Sequence, residues 1–323
     1  MTREERINIA KQAIEDHKKV YYKDGCYEKA DFWDFAEIFE IIDDAYENFG
    51  GDEYKQMFSE MYDFAIKAYG ESWEKNPFND DIMWLCIALS RAYLFTGEKK
   101  YLDSAIKNFD MTWARAYSDD LGGGLFWRIE NHSKNVCVNC PGAIAACFIA
   151  KATGDESYYE KASLALEWTA KYMYEPDCGK IYDCVNMDGR VSKWSSTYNQ
   201  GTFIGANMLM YEHTGDENYI ERANKSANYV INEMYQGGIM NNEEAGNDLP
   251  GFKGILARWL YRFAKKTGNE SYIKWLQMNA ESAYSNRNSE GIMQTQLANK
   301  TEDGKYYDVF TASAAVSVLV NSI

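Results

Sequence analysis

Proline is scarce in this sequence, with 4 in 323 residues. Few helix breakers favour long helices over a many-turned β fold. Histidine is scarcer: His17, His132 and His213 are the only three. They support neither a His-based metal cluster nor a Ser-His-Asp arrangement. Basic charge is in deficit, since 34 Lys and Arg against 49 Asp and Glu leave a net charge of −15. That argues against a nucleic-acid partner or an anionic membrane surface, both of which need clustered cations. Long apolar runs are missing as well. The stretch Ala312 to Val320 is far short of the ~20 residues a membrane span needs. Met1 to Arg6 run into an amphipathic pattern rather than an apolar leader, so a cytoplasmic protein is expected, or a secreted one if a leader was removed. The seven cysteines are odd in number and irregular in spacing, which suits a reducing compartment.

What is present begins with apolar residues, 46% of the chain and enough to bury a sizeable core. Aromatics reach 15%. They read either as core residues with Tyr hydroxyls at its edge, or as the walls of a cleft for a neutral, polyhydroxylated ligand.

A repeat organises the chain. Thr96-Gly97-Glu98, Thr153-Gly154-Asp155, Thr214-Gly215-Asp216 and Thr267-Gly268-Asn269 are each followed, three residues after the last, by a Tyr. Their Gly-to-Gly steps are 57, 61 and 53 residues, and Gly51-Asp52-Glu53-Tyr54 is a degenerate earlier copy. Such a period marks a repeated supersecondary unit. Each Gly suits the position just past a helix, and the residue after it suits the cap of the next. Apolar residues at 3.6 spacing flank every copy, as in Leu85, Ala88, Leu89, Ala92 and Tyr93. The pattern predicts twelve helices, at 3–22, 32–48, 52–70, 81–96, 98–117, 140–153, 155–174, 198–214, 216–236, 250–267, 269–287 and 310–322. Six hairpins with no strand-rich segment predict an all-α fold, an (α/α)6 barrel forming one domain over residues 1–323. One set of turns is short. The other links, 23–31, 71–80, 118–139, 175–197, 237–249 and 288–309, are long, and a functional site is expected on them.

Asn79-Asp80-Asp81-(x)2-Trp84 opens the fourth helix. Capping by Asn79 or Asp80 is one reading. A catalytic carboxylate pair is the other, because adjacent side chains at a helix start diverge by ~100° and can place carboxyl groups roughly 5–6 Å apart. Mutual repulsion would then keep one carboxyl ionised and the other protonated. The helix dipole favours an ionised Asp80, and the charge beside Asp81 holds its proton more tightly. Asp119-Asp120 precede Gly122-Gly123-Gly124 and read as turn chemistry, whereas Trp127 reads as a ligand contact. Cys137 and Cys140 form a Cys-x-x-Cys, yet Cys178 and Cys184 fit no standard zinc spacing, so neither a metal nor another cofactor is expected. Asn135 and Asn139 could serve sugar hydroxyls as neutral donors and acceptors. The same holds for Tyr198, Asn199 and Gln200 in the segment Trp194 to Gly201, which reads equally as a capped helix start.

These segments resemble glycoside hydrolase family 76, the endo-α-1,6-mannanases. Asp80, Asp81 and Trp84 match its aspartate pair and following Trp; Gly122 to Trp127 resemble its Gly-rich segment; Lys134 to Asn139 resemble its Lys-Asn-x(3)-Asn. Thr197 to Ala206 match its Thr-Tyr-Asn-Gln-Gly run, and Phe252 to Ile255 its Phe-Lys-Gly-Ile, which brings Lys253 in as a substrate-binding residue. The resemblance implies an (α/α)6 barrel that cleaves α-1,6-linked mannose by a retaining mechanism, with Asp80 as nucleophile and Asp81 as general acid/base. A mannose-containing oligosaccharide or polysaccharide is the implied partner. Leu85 stands where the family often has a second aromatic, and Phe126 where its Gly-rich segment often has the first of two tryptophans. A transglycosylase, another (α/α)6 sugar enzyme (an epimerase or uronyl hydrolase) and a non-catalytic sugar-binding protein are the alternatives. On the glycosidase reading, Asp80, Asp81, Trp84, Trp127, Tyr198 and Asn199 should converge.

Overall fold

The computed structural model describes residues 1–241, 243 and 248–323. The chain is all-α, as predicted, and its helices follow the hairpin order of an (α/α)6 fold. They are α1 (Arg3–Tyr21), α2 (Phe32–Phe49), α3 (Asp52–Tyr69), α4 (Asn79–Thr96), α5 (Lys99–Ala116), α6 (Val136–Thr153), α7 (Glu156–Met173), α8 (Thr197–Thr214), α9 (Glu217–Glu233), α10 (Phe252–Thr267), α11 (Glu270–Ser285) and α12 (Val309–Val320).

Even-numbered helices are buried nearly all round and odd-numbered ones along one stripe. Every residue of α6 from Val138 to Ala150 is buried. By contrast α5 buries Tyr101, Leu102, Ala105, Phe109, Thr112 and Ala116, the 3–4 spacing of a single apolar face. α6 is long and apolar enough to cross a membrane by length and composition. Here it is a core helix, packed against α4, α5, α7 and α8.

The four Thr-Gly turns are built alike. Gly97, Gly154, Gly215 and Gly268 all take the left-handed conformation just past a helix, with φ of 73°, 74°, 70° and 68°, where a Cβ would be strained. The preceding Thr adds a lock. Thr96 donates to Ala92 O (2.7 Å) and accepts from the Glu98 N–H (3.1 Å). Thr153 does the same between Ile149 O and Asp155 N, and Thr214 between Met210 O and Asp216 N. Asp155, Asp216 and Asn269 then accept from backbone N–H groups at the start of the next helix.

The chain divides into two compact units, residues 65–229 and residues 1–64 with 230–323. In the first, α4, α6 and α8 pack in succession, with α5 against α4 and α6, and α7 against α6 and α8. In the second, α12 packs against α1, α2, α10 and α11. There the buried Arg258 binds Asp44 (2.7 Å) and Glu37 (2.9 Å), and Asn321 also donates to Asp44 (2.9 Å). His17 joins α1 to α12 through Val309 O (3.1 Å), and burial pushes its imidazole down to about 4, so it is neutral.

Two predicted features differ. First, α6 starts at Val136, not at residue 140, and carries Pro141 inside it. Asn139 holds the extra turn by donating to Asn135 O (2.8 Å), and Val136 N–H donates to Asp183 O (2.9 Å). Second, short strands occur. β1 (Ser133–Asn135), β2 (Cys184–Asn186) and β3 (Val191–Ser192) form an antiparallel sheet in the first unit, with Lys134 opposite Val185 and Cys184 opposite Ser192. Segments of two or three residues are too short to carry a periodic signal.

Candidate functional site

The first turn of α4 is fixed from outside the helix. Its cap position is Phe78, with no side-chain cap bond, so neither Asn79 nor Asp80 caps the helix. Asn79 instead accepts from Arg115 Nε (2.7 Å) and donates to Phe126 O (2.8 Å), while its N–H donates to Trp127 O (2.8 Å). Arg115, on α5, also donates to Glu74 O and Asn76 O, which pins the loop ahead of α4. One side chain that sequence patterns do not single out, Arg115, and two backbone carbonyls therefore orient the residue next to Asp80.

The two aspartates differ in surroundings. Asp81 is half-buried and accepts from Asn76 Nδ2 (3.0 Å). Asp80 is 9% exposed, and its Oδ1 has no hydrogen-bond partner among the described residues. Burial pushes the Asp80 carboxyl up to about 6; the Cys137 thiol, the Trp127 indole and the N–H groups of Asp80 and Asp81 oppose that by favouring the anion. Against the expectation that the dipole holds Asp80 low, desolvation raises its carboxyl. Most Asp80 is still ionised at pH 7.

This shift has a stability consequence. The folded carboxyl titrates near 6 against an ordinary 3.8, so the folded state binds the proton more tightly than the unfolded one. Stability therefore falls as pH rises from about 4 through 6, and above that the charge costs about 3 kcal/mol. Asp80→Asn is expected to raise Tm by about 5 °C at pH 7.5 and to leave it nearly unchanged at pH 4. Calorimetric melts at the two pH values check this; an equal Tm at pH 7.5 counts against a penalised charge.

The Gly-rich segment is held by a buried cation. Lys134 is fully buried, and its Nζ donates to Ser118 O (2.7 Å), Asp120 O (2.6 Å) and Gly123 O (2.6 Å). Burial pushes the ammonium down to about 8, against the pull of Asp120 and Asp119. Ser118 and Asp120 bond each other, as turn chemistry requires. At Gly124 a Cβ would lie 2.5 Å from the Trp168 ring, so only glycine fits. This loop delivers Trp127, whose N–H donates to Ser133 O (3.0 Å) and whose ring tilts against Phe78.

Of the other expected residues, Tyr198 meets the site and several do not. The Tyr198 hydroxyl donates to Asp183 (3.3 Å). Burial, with the Asp183 and Asp80 carboxylates and the Cys137 sulfur close by, pushes its phenol well above the usual range, so it is a neutral donor. Asn199 is fully buried and bonds back to the α8 cap residue, accepting from Ser196 N–H (3.0 Å) and donating to Tyr182 O (3.2 Å). Gln200 is fully buried on Ile181 and Ser195, and Asn139 on Leu125 and Asn135. Asn135 is 7% exposed and accepts from Ser133 Oγ (2.7 Å). Trp84, 1% exposed, is a core residue of α4. Asn139, Asn199 and Gln200 are thus buried and bonded to protein. Lys253 belongs to the other unit, where it is fully buried and pairs with Glu243 (3.5 Å).

Sequence reasoning did not single out Asp183 and gave Cys137 no place beside the aspartates. Asp183 precedes β2; its N–H donates to Ser192 O (3.1 Å) and its carbonyl accepts from Val136. Burial pushes its carboxyl up, and the Cys184 thiol and Tyr198 hydroxyl oppose that. No period or cap signal marks it. Cys137 faces Asp80 and has Asp183 and Asp81 in its field. Its thiol is held well above the usual range by burial, and so stays protonated. Among the described residues no three His, Cys, Asp or Glu side chains group to hold a metal. The starts of α4, α6 and α8 thus bring Asp80, Trp127, Cys137, Asp183 and Tyr198 together.

Known proteins share this fold. The GH76A α-1,6-mannanase from Salegentibacter sp. HEL1_6 is similar with a TM-score of 0.89, 28% identity and 98% of each chain covered. An inactive variant of it, with two adjacent aspartates changed to asparagine and α-1,6-mannotriose bound, gives a TM-score of 0.90 at 27% identity, again over 98% of each chain. The mannan endo-1,6-alpha-mannosidase DCW1 of Saccharomyces cerevisiae is 26% identical over 234 residues, which is 64% of this chain and 51% of the relative. The chain spans about half the length of the curated relatives it matches. The family model for glycosyl hydrolase family 76 matches residues 7–323. With adjacent aspartates opening a buried helix and a match that runs almost end to end, this chain belongs to glycosyl hydrolase family 76.

Proposed function

We propose that this chain is a glycosidase that hydrolyses α-1,6-linked mannose chains by a retaining double displacement. The observation that carries the reading is the Asp80–Asp81 pair: a buried carboxylate with one unpartnered oxygen beside a half-buried, hydrogen-bonded one. Asp80 Oδ1 is the nucleophile. It attacks the anomeric carbon while the Asp81 carboxyl protonates the departing glycosidic oxygen, and a mannosyl–Asp80 ester forms. Asp81, now a carboxylate, takes a proton from water, which attacks the same carbon and frees Asp80. Their surroundings suit the roles. A nucleophile gains from a dry site, while an acid/base must exchange protons with solvent each cycle. Trp127 offers an apolar wall, and the neutral Tyr198 hydroxyl a donor, for a sugar without charge. The naming of the yeast relative as a mannan endo-1,6-alpha-mannosidase, and the inactivity of the bacterial mannanase lacking two adjacent aspartates, support the same reading.

Incubation with α-1,6-mannan and α-1,6-manno-oligosaccharides, with products resolved by size and anomer, tests it. Shorter products that appear first as the α anomer are expected. Products appearing first as the β anomer would overturn the retaining mechanism, and intact substrate would overturn the activity.

A further inference from the structure

Trp194 is the one exposed tryptophan among the described residues, at 47%. It stands on the segment between β3 and α8, and both ends of that segment are tied to Asp183. On one side, Ser192 O accepts from the Asp183 N–H (3.1 Å). On the other, the Tyr198 hydroxyl donates to the Asp183 carboxylate (3.3 Å). Two residues span at most ~7 Å of extended chain, so the Trp194 backbone stays within that distance of Ser192, which is bonded to Asp183. The segment is also braced from within, since Gln200 donates to Ser195 Oγ (2.8 Å) and Ser196 N–H to Asn199 (3.0 Å).

We propose that Trp194 is the aromatic platform of an outer sugar subsite, stacking a mannosyl unit one or two rings from the bond that is cleaved. This rests on the α-1,6-mannan reading above. An indole held by a braced segment offers a flat apolar face to the C–H groups of a sugar without paying to order a loop. Its tie to Asp183 on both sides favours a ligand continuous with the site over an independent partner. A chain of three or more mannosyl units reaches such a platform, whereas two units fill the centre alone.

The test is calorimetry of α-1,6-mannobiose and α-1,6-mannotetraose binding to the Asp80→Asn/Asp81→Asn protein, with Trp194 intact, Trp194→Ala or Trp194→Phe. Trp194→Ala should lower the tetraose-to-biose affinity ratio about five-fold, and Trp194→Phe should retain most of it. An unchanged ratio, whether both affinities fall together or neither does, overturns the subsite. Hydrolysis of mannotetraose by the unsubstituted protein is followed in parallel. If it fails while the ratio still responds to Trp194→Ala, the catalytic reading falls and the subsite stands; if neither oligosaccharide binds, both fall.

Discussion

Asp80→Ala is expected to lower kcat on α-1,6-manno-oligosaccharides by at least about 10⁴-fold, since loss of a nucleophile removes the covalent route altogether. The deficit should persist with an aryl α-mannoside of low leaving-group pKa, because a better leaving group does not replace the attacking oxygen. Azide filling the space should give, if anything, a mannosyl azide of inverted configuration. In the unsubstituted protein the nucleophile must be ionised, and its carboxyl sits at about 6 in the free site. The acid limb of kcat/KM should therefore bend near pH 6, with activity falling as pH drops below it. Stopped assays on the two substrates, with product configuration by NMR, check this. A loss below about 100-fold would take the nucleophile's role from Asp80.

Asp81→Ala should behave differently. On natural chains kcat is expected to fall about 10²–10⁴-fold, the range for a general acid or base. With an aryl mannoside whose leaving group needs no proton, the first step is spared and the slow step becomes release of the mannosyl–Asp80 ester, seen as a burst of phenolate. Azide needs no base to deprotonate it. It should speed turnover and yield a mannosyl azide of retained α configuration. A retained azide product from Asp80→Ala instead of Asp81→Ala would exchange the two roles. Full activity in both variants would remove the carboxylate pair from the chemistry.

What could be read in the sequence was whatever is encoded locally. The Thr-Gly turns, the twelve helices and the aspartates opening α4 all rest on neighbours within a few residues, where spacing and capping rules apply. What escaped depends on distant partners. The α6 start at Val136 is held by Asp183 O, and Asp183 itself enters the site through a strand of three residues. Asn139, Asn199 and Gln200 looked like sugar ligands because amides suit hydroxyls equally well. Only the fold shows their amides bonded to backbone, as with Gln200 on Ile181. The charge balance at Asp80 was misjudged for a related reason. The helix dipole is visible in a sequence, but the depth of burial that outweighs it is not.

The Thr-Gly locks carry a consequence for how such a chain can change over generations. Each of the four hairpins they close is secured at that end by hydrogen bonds and a left-handed glycine within five residues. The opposite ends carry the connections that deliver Trp127, Asp183 and Trp194. A hairpin that is self-contained at one end can accept a lengthened, shortened or rewritten link at the other without losing its pairing. Substrate preference can therefore drift by exchange of links while the helix register is inherited intact, and variation among relatives should concentrate in the stretches of these links outside the Gly-rich and Lys134 segments and Asp183, such as residues 128–132 and 187–195, rather than in the turns at 97, 154, 215 and 268.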